Sequence, residues 1–135
     1  MVSTILMCLA LNIYFEARNQ SFEGQIAVTH VVFNRVADPQ FPDNVCDVIY
    51  QARTYESGFP KRHQCQFSWY CDGKSDEPRE QAAFLKAMRV IRYMIIFDID
   101  DVTDGATHYH ATSVFPDWAK SKKKTVQIGD HIFYR

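Results

Sequence analysis

The chain has 135 residues, 47% of them hydrophobic and 23% charged, with only five glycines and five prolines. That is one domain's length with room for its own core, and the composition excludes disordered, collagen-like and repeat proteins. Fifteen Lys and Arg against 16 Asp and Glu leave a net charge of −1, without the basic excess of a nucleic-acid binder.

Ser3 reads as a helix cap, and Ile5, Leu6, Leu9 and Ile13 recur at spacings of three and four, which predicts an amphipathic helix over residues 3 to 18. Its apolar run, Ile5 to Leu11, is too short to span a membrane. No basic residue precedes it and no cleavage site follows, so neither a signal peptide nor stable membrane insertion is expected. Glu16 falls three residues after Ile13 and seven after Leu9, on the apolar stripe rather than the solvated face. A carboxylic acid held there loses hydration in its charged form, so its pKa rises, as a general acid requires. The competing reading pairs Glu16 structurally with Arg18 or Arg35.

A second helix starts with Ser21 as cap and Glu23 in its first turn, where an acid suits the helix dipole. It is apolar over most of its circumference from Ile26 to Val36, which makes it central to the core, and it ends before Asp38-Pro39. The turn between the two helices lies beside Glu16. His30 and Asn34 interrupt the apolar surface and read as hydrogen-bonded boundary groups.

Residues 38 to 80 carry scattered Pro and Gly, which predicts loops with one small helix near Val45 to Gln51. The segment Gln66-Phe67-Ser68-Trp69-Tyr70, beside Asp72-Gly73, suits stacking on sugar rings and bonding to their hydroxyls; its aromatics could equally pin the loop to the core. Cys65 and Cys71 bracket this segment and pair if the chain reaches an oxidising compartment, or stay reduced otherwise.

Ser75 or Asp76 caps a third helix, with Pro78 in its first turn, running to about Phe97. Asp98, Asp100, Asp101 and Asp104 follow without the oxygen spacing of a calcium loop, so they read as a solvated turn. Alternating stretches at Thr107–His110 and Thr125–Tyr134, the second turning at Gly129-Asp130, predict strands of a small antiparallel sheet. Lys120 to Lys124 between them reads as a solvated loop. The fold expected is therefore α+β, a mainly helical, lysozyme-like core closed by a sheet from the C-terminal third, in a single domain over 1–135. His108 and His110 share a strand face and, with His131, suggest a three-His zinc site of an amidase or peptidase, but no H-E-x-x-H signature supports it and no metal or other cofactor is expected.

Tyr14-Phe15-Glu16-Ala17-Arg18, Gly24-Gln25-Ile26-Ala27-Val28, Asn34-Arg35-Val36, Gln66-Phe67-Ser68-Trp69, Asp72-Gly73, Gly105-Ala106-Thr107-His108-Tyr109-His110, Pro116-Asp117-Trp118 and Ile128-Gly129-Asp130-His131 with Phe133-Tyr134 stand in an order that resembles the SleB-type cell wall hydrolase family. The likeness runs over nearly the whole chain. It implies a monomeric enzyme with a lysozyme-like core that cleaves the glycan strands of peptidoglycan as a lytic transglycosylase, with Glu16 as the acid. One acid then suffices: Glu16 protonates the oxygen between N-acetylmuramic acid and N-acetylglucosamine, and its carboxylate takes the proton of the muramoyl C6 hydroxyl as that attacks C1. A hydrolytic glycosidase would need a second carboxylate about 5–5.5 Å or about 6.5–9.5 Å away, for which Asp72 is the nominee. Gln66, Phe67, Ser68, Asp72, Tyr109 and His110 are the expected substrate contacts. Many family members continue E-A-R with Gly-Glu where this chain has Asn19-Gln20. The lack of an export signal resembles phage endolysins, made in the cytoplasm and released to the periplasmic wall through a holin-type pore or carried on the virion. A non-catalytic glycan-binding module, with Glu16 ion-paired in the core, is the alternative.

Overall fold

The computed structural model describes residues 4–135. Helix α1 spans Thr4–Ala17, α2 Phe22–Val36, α3 Val45–Ile49 and α4 Gln81–Phe97; β1 (Ala52–Thr54) pairs with β2 (Pro60–Cys65), and β3 (His108–Ala111), β4 (Lys124–Ile128) and β5 (His131–Tyr134) form a second sheet. Helix α1 packs against the other three helices. Ile13, Val28, Val31, Val32, Val48, Ile49, Val90, Ile91 and Phe133 fill the core they share with the second sheet. This is the expected α+β arrangement. Among the described residues no helix is long and apolar enough to cross a membrane. The proposed cap Ser3 lies outside the described residues.

The corner between α1 and α2 is tight. Ser21 caps α2 by accepting from the Gly24 amide, Gln25 Nε2 donates to the Ala17 carbonyl at 3.1 Å, and a side-chain carbon at Gly24 would lie 2.9 Å from Gln20 Cβ. Gln20 reaches across to the sheet, where its Nε2 donates to Asp130 Oδ2 and its Oε1 accepts from the Asp130 amide, both at 3.1 Å. The β4–β5 turn thus docks on the helical corner, with Gly129 at a φ of 56° that favours glycine.

The three-stranded sheet has the order β3-β5-β4, all antiparallel, with His108 opposite Tyr134 and Ala111 opposite His131. Three expectations need correction. Helix α4 starts at Gln81, not at Ser75 or Asp76: Pro78 disfavours helical backbone before it, Ser75 Oγ accepts from the Glu77 amide in a local turn, and the Glu80 amide donates to Tyr14 Oη at 3.0 Å. The β1–β2 hairpin stands where loop is expected, because most of its residues are exposed and lack an apolar alternation. The acidic stretch after α4 is not simply solvated. Asp101 accepts from the Thr103 amide and hydroxyl, from the Gly105 amide and from Asn34 Nδ2, so it ties that loop to α2.

Both cysteine pairs are bonded. Cys65–Cys71 joins β2 to the short 3₁₀ turn Ser68–Cys71, and Cys8–Cys46, a pairing the spacing did not suggest, joins α1 to α3.

Candidate active site

Glu16 stands in the last turn of α1, half-buried, and accepts a hydrogen bond from Tyr109 Oη at 2.9 Å. Burial raises its pKa above the ordinary carboxylate value; the Tyr109 bond and the charge of Arg35 pull it down without cancelling that rise. Burial and the neighbouring Glu16 charge push the Tyr109 phenol well up, so Tyr109 keeps its proton and donates it. The ring of Tyr109 is braced by His131 at 5.0 Å and Phe133 at 5.5 Å, both on β5. Helix α1 therefore supplies the acid and the C-terminal sheet supplies its partner, 93 positions away in sequence.

Arg35 sits behind this pair on α2, only 5% exposed. Its Nε donates to the Thr107 carbonyl at 2.8 Å, and its guanidinium lies over the rings of Phe41 and Phe67. Its Nη1 is buried without a hydrogen-bond partner. Burial lowers the pKa of Arg35, while the acidic groups of Tyr109 and Glu16 hold it up. Sequence reasoning gave Arg35 only a pairing role, yet it stands three, four and seven residues after Val32, Val31 and Val28, the same intrusion on a buried stripe that singles out Glu16.

No ion pair within 4.0 Å reaches Glu16 among the described residues; Arg18 pairs instead with Glu80 at 3.5 Å and stacks on Tyr14. The other nominated residues divide. Gln66 and Ser68 are exposed, with no side-chain hydrogen bond among the described residues. Phe67, by contrast, is 2% exposed and belongs to the core, and the neighbouring Trp69 is buried, stacking on Phe15 at 4.9 Å and donating from Nε1 to Asn12 Oδ1. The aromatics of this segment thus pin it down, and its polar side chains are what it leaves outside. Asp72 forms an Asp-Gly turn, accepting from the Lys74 amide at 2.8 Å.

His110, expected as a substrate contact, has both ring nitrogens engaged inside the sheet: its Nε2 lies 2.7 Å from Tyr134 Oη and its Nδ1 2.8 Å from the Ala111 carbonyl. The three-His zinc site fails on register. His131 is paired with Ala111 and so shares the Tyr109 face, opposite to His108 and His110. His108 is held to about 4 by burial and the charges of Arg35 and Lys122, against the pull of Asp38; its neutral ring packs by Phe41 and Trp118. No cluster of metal-ligating side chains occurs among the described residues.

A buried acid that holds its proton to higher pH, a phenol that keeps it in place and a nearby buried cation can give up a proton and take one back without a metal ligand set.

The sequence profile of a family described as cell wall hydrolase matches residues 19–134. The chain is 28% identical over 129 residues to a spore cortex-lytic enzyme of Halalkalibacterium halodurans, covering 95% of this chain and 34% of that protein. It is 27% identical to the corresponding enzyme of Bacillus subtilis, over 93% of this chain and 35% of the relative. The chain thus spans about a third of the length of these curated relatives. In structure it is similar to the catalytic domain of a germination-specific lytic transglycosylase from Bacillus anthracis, with a TM-score of 0.71 at 24% identity, covering 100% of this chain and 97% of that one.

Proposed function

Because this chain belongs to the cell wall hydrolase family, of the SleB type, we propose that it acts as a single catalytic domain that cleaves the glycan strands of peptidoglycan, with Glu16 as the acid and base. The observation that carries the reading is the raised pKa of Glu16 under the hydroxyl of Tyr109. Protonated Glu16 donates to the glycosidic oxygen, the bond from that oxygen to the muramoyl C1 breaks, and the N-acetylglucosamine side leaves as an alcohol. Tyr109 Oη and the charge of Arg35 stabilise the carboxylate left behind. That carboxylate takes the proton of the muramoyl C6 hydroxyl as its oxygen bonds to C1. The acid is regenerated, no water is consumed and the product is a 1,6-anhydro sugar.

Exposed Gln66 and Ser68, on a segment anchored by Phe67 and Trp69, are the proposed hydroxyl contacts. The one-acid route assigns no step to Asp72, one of whose carboxylate oxygens accepts from the Lys74 amide. Digesting purified peptidoglycan and weighing the soluble muropeptides tests the reading. Fragments lighter by one water than hydrolytic ones are expected. Ordinary reducing ends would mean that a water is activated, and would require a second carboxylate.

A further inference from the structure

The last turn of α1 has a second neighbour that the glycosidic chemistry leaves unused. A cavity of about 380 Å³ opens beside it, floored by Tyr14 and Phe15 and walled by the segment 74–80. Phe15 precedes Glu16 directly and stacks on the buried Trp69, which anchors the segment carrying Gln66 and Ser68. The cavity is charged. Arg18, Lys74 and Arg79 line it with Glu77 and Glu80. Arg18 and Glu80 satisfy each other, whereas Lys74, Arg79 and Glu77 form no ion pair among the described residues. Two free cations and one free carboxylate at one mouth complement a ligand that carries carboxylates together with an amino group.

The sugar rings of the glycan are uncharged and need no such lining. The charged part of the substrate is the peptide stem on the muramoyl lactyl group, with its free carboxylates and, at a diamino acid, a free ammonium. We propose that this cavity binds the peptide stem of the muramoyl residue being cleaved, with Lys74 and Arg79 on its carboxylates and Glu77 facing its amino group, so that the enzyme selects peptide-bearing strands over bare glycan. The assignment rests on the lytic reading of Glu16.

The test compares kcat/KM on intact peptidoglycan with that on the same strands stripped of peptide by an N-acetylmuramoyl-L-alanine amidase, for the unaltered protein and for a Lys74→Gln, Arg79→Gln double variant. The unaltered protein is expected to favour peptide-bearing strands by about tenfold or more, the scale of one charge-assisted contact. The double variant is expected to lose most of that preference through KM, with its melting temperature unchanged because neither side chain is bonded elsewhere in the fold. Equal or faster cleavage of bare strands by the unaltered protein overturns the assignment, as does a double variant that keeps the preference. Failure to release fragments from either substrate would instead overturn the lytic reading itself.

Discussion

Replacing Tyr109 by Phe removes one hydroxyl and the 2.9 Å bond it donates to Glu16. A hydrogen bond to a charged acceptor contributes about 1.5–3 kcal/mol and one to a neutral acceptor about 0.5–1.5 kcal/mol, so the bond favours the carboxylate over the acid by about 1–1.5 kcal/mol. At about 1.36 kcal/mol for each pKa unit, its loss raises the pKa of Glu16 by about one unit. Glu16 is half-buried, and a water entering the vacated space recovers part of this, which leaves about half a unit to one unit. The direction follows from which form the bond stabilises. Removing a lowering influence moves the group further up, so the alkaline limb of the kcat/KM profile, which reports loss of the Glu16 proton from the free enzyme, shifts to higher pH. Tyr109 is not itself the group titrating on that limb, because its own pKa stands well above the ordinary phenol value. On the plateau the rate falls about three- to tenfold, since the carboxylate formed during bond cleavage has lost its donor. Release of soluble muropeptides, followed across a pH series for both proteins, measures limb and plateau together. An alkaline limb that stays in place or moves toward acid, in a variant that melts as the parent does, would refute the assignment of this hydrogen bond to the working acid.

Glu16→Gln is expected to lower wall cleavage by about 10²–10⁴-fold, the usual contribution of a general acid. Its effect on stability has the opposite sign. A buried acid with a raised pKa destabilises the fold as pH climbs above its unfolded value of about 4.5 toward the folded one, and Gln cannot ionise, so at neutral pH the variant should melt at or above the parent temperature; a lower melting point would count against the burial argument. Asp101 behaves conversely: burial alone would raise its pKa, but bonds from Thr103, Asn34 and Gly105 outweigh it and hold it below the ordinary value. Asp101→Asn should therefore destabilise at neutral pH, with the gap closing as pH falls below about 4, read by denaturant titration across pH. The two disulfides close loops of 38 and 6 residues, for which chain entropy gives about 4 and about 2 kcal/mol. Replacing Cys8 and Cys46 by Ala should accordingly lower stability about twice as much as replacing Cys65 and Cys71, by denaturant midpoint at fixed slope.

The helices were legible where one apolar period ran uninterrupted, as in α1 and α2, and the second sheet was legible from its alternation and the Gly129-Asp130 turn. Glu16 stood out because an acid on a buried stripe breaks a rule that local composition does not excuse. What stayed hidden depends on contacts far apart in sequence. Nothing near Asp101 announces that Asn34 will donate to it, and nothing near Trp69 announces Asn12. The β1–β2 hairpin rests on backbone pairing rather than apolar burial, so it left no period to read. Phe67 and His110 illustrate a different loss: an aromatic or a histidine in a site motif looks the same whether it faces a ligand or supports the residue that does.

The division of the acid and its donor between α1 and β3 bears on when, along the chain, the proposed site becomes complete. Tyr109 reaches Glu16 only while β3 is braced by β5, the strand synthesised after every other element described here. A chain ending before His131 has α1 and Glu16 but lacks the strand that pairs with β3 along its length. On the lytic reading, the hydrogen bond that tunes Glu16 therefore comes with completion of the sheet, and a chain cut before His131 is expected to lose at least the about three- to tenfold that Tyr109→Phe costs.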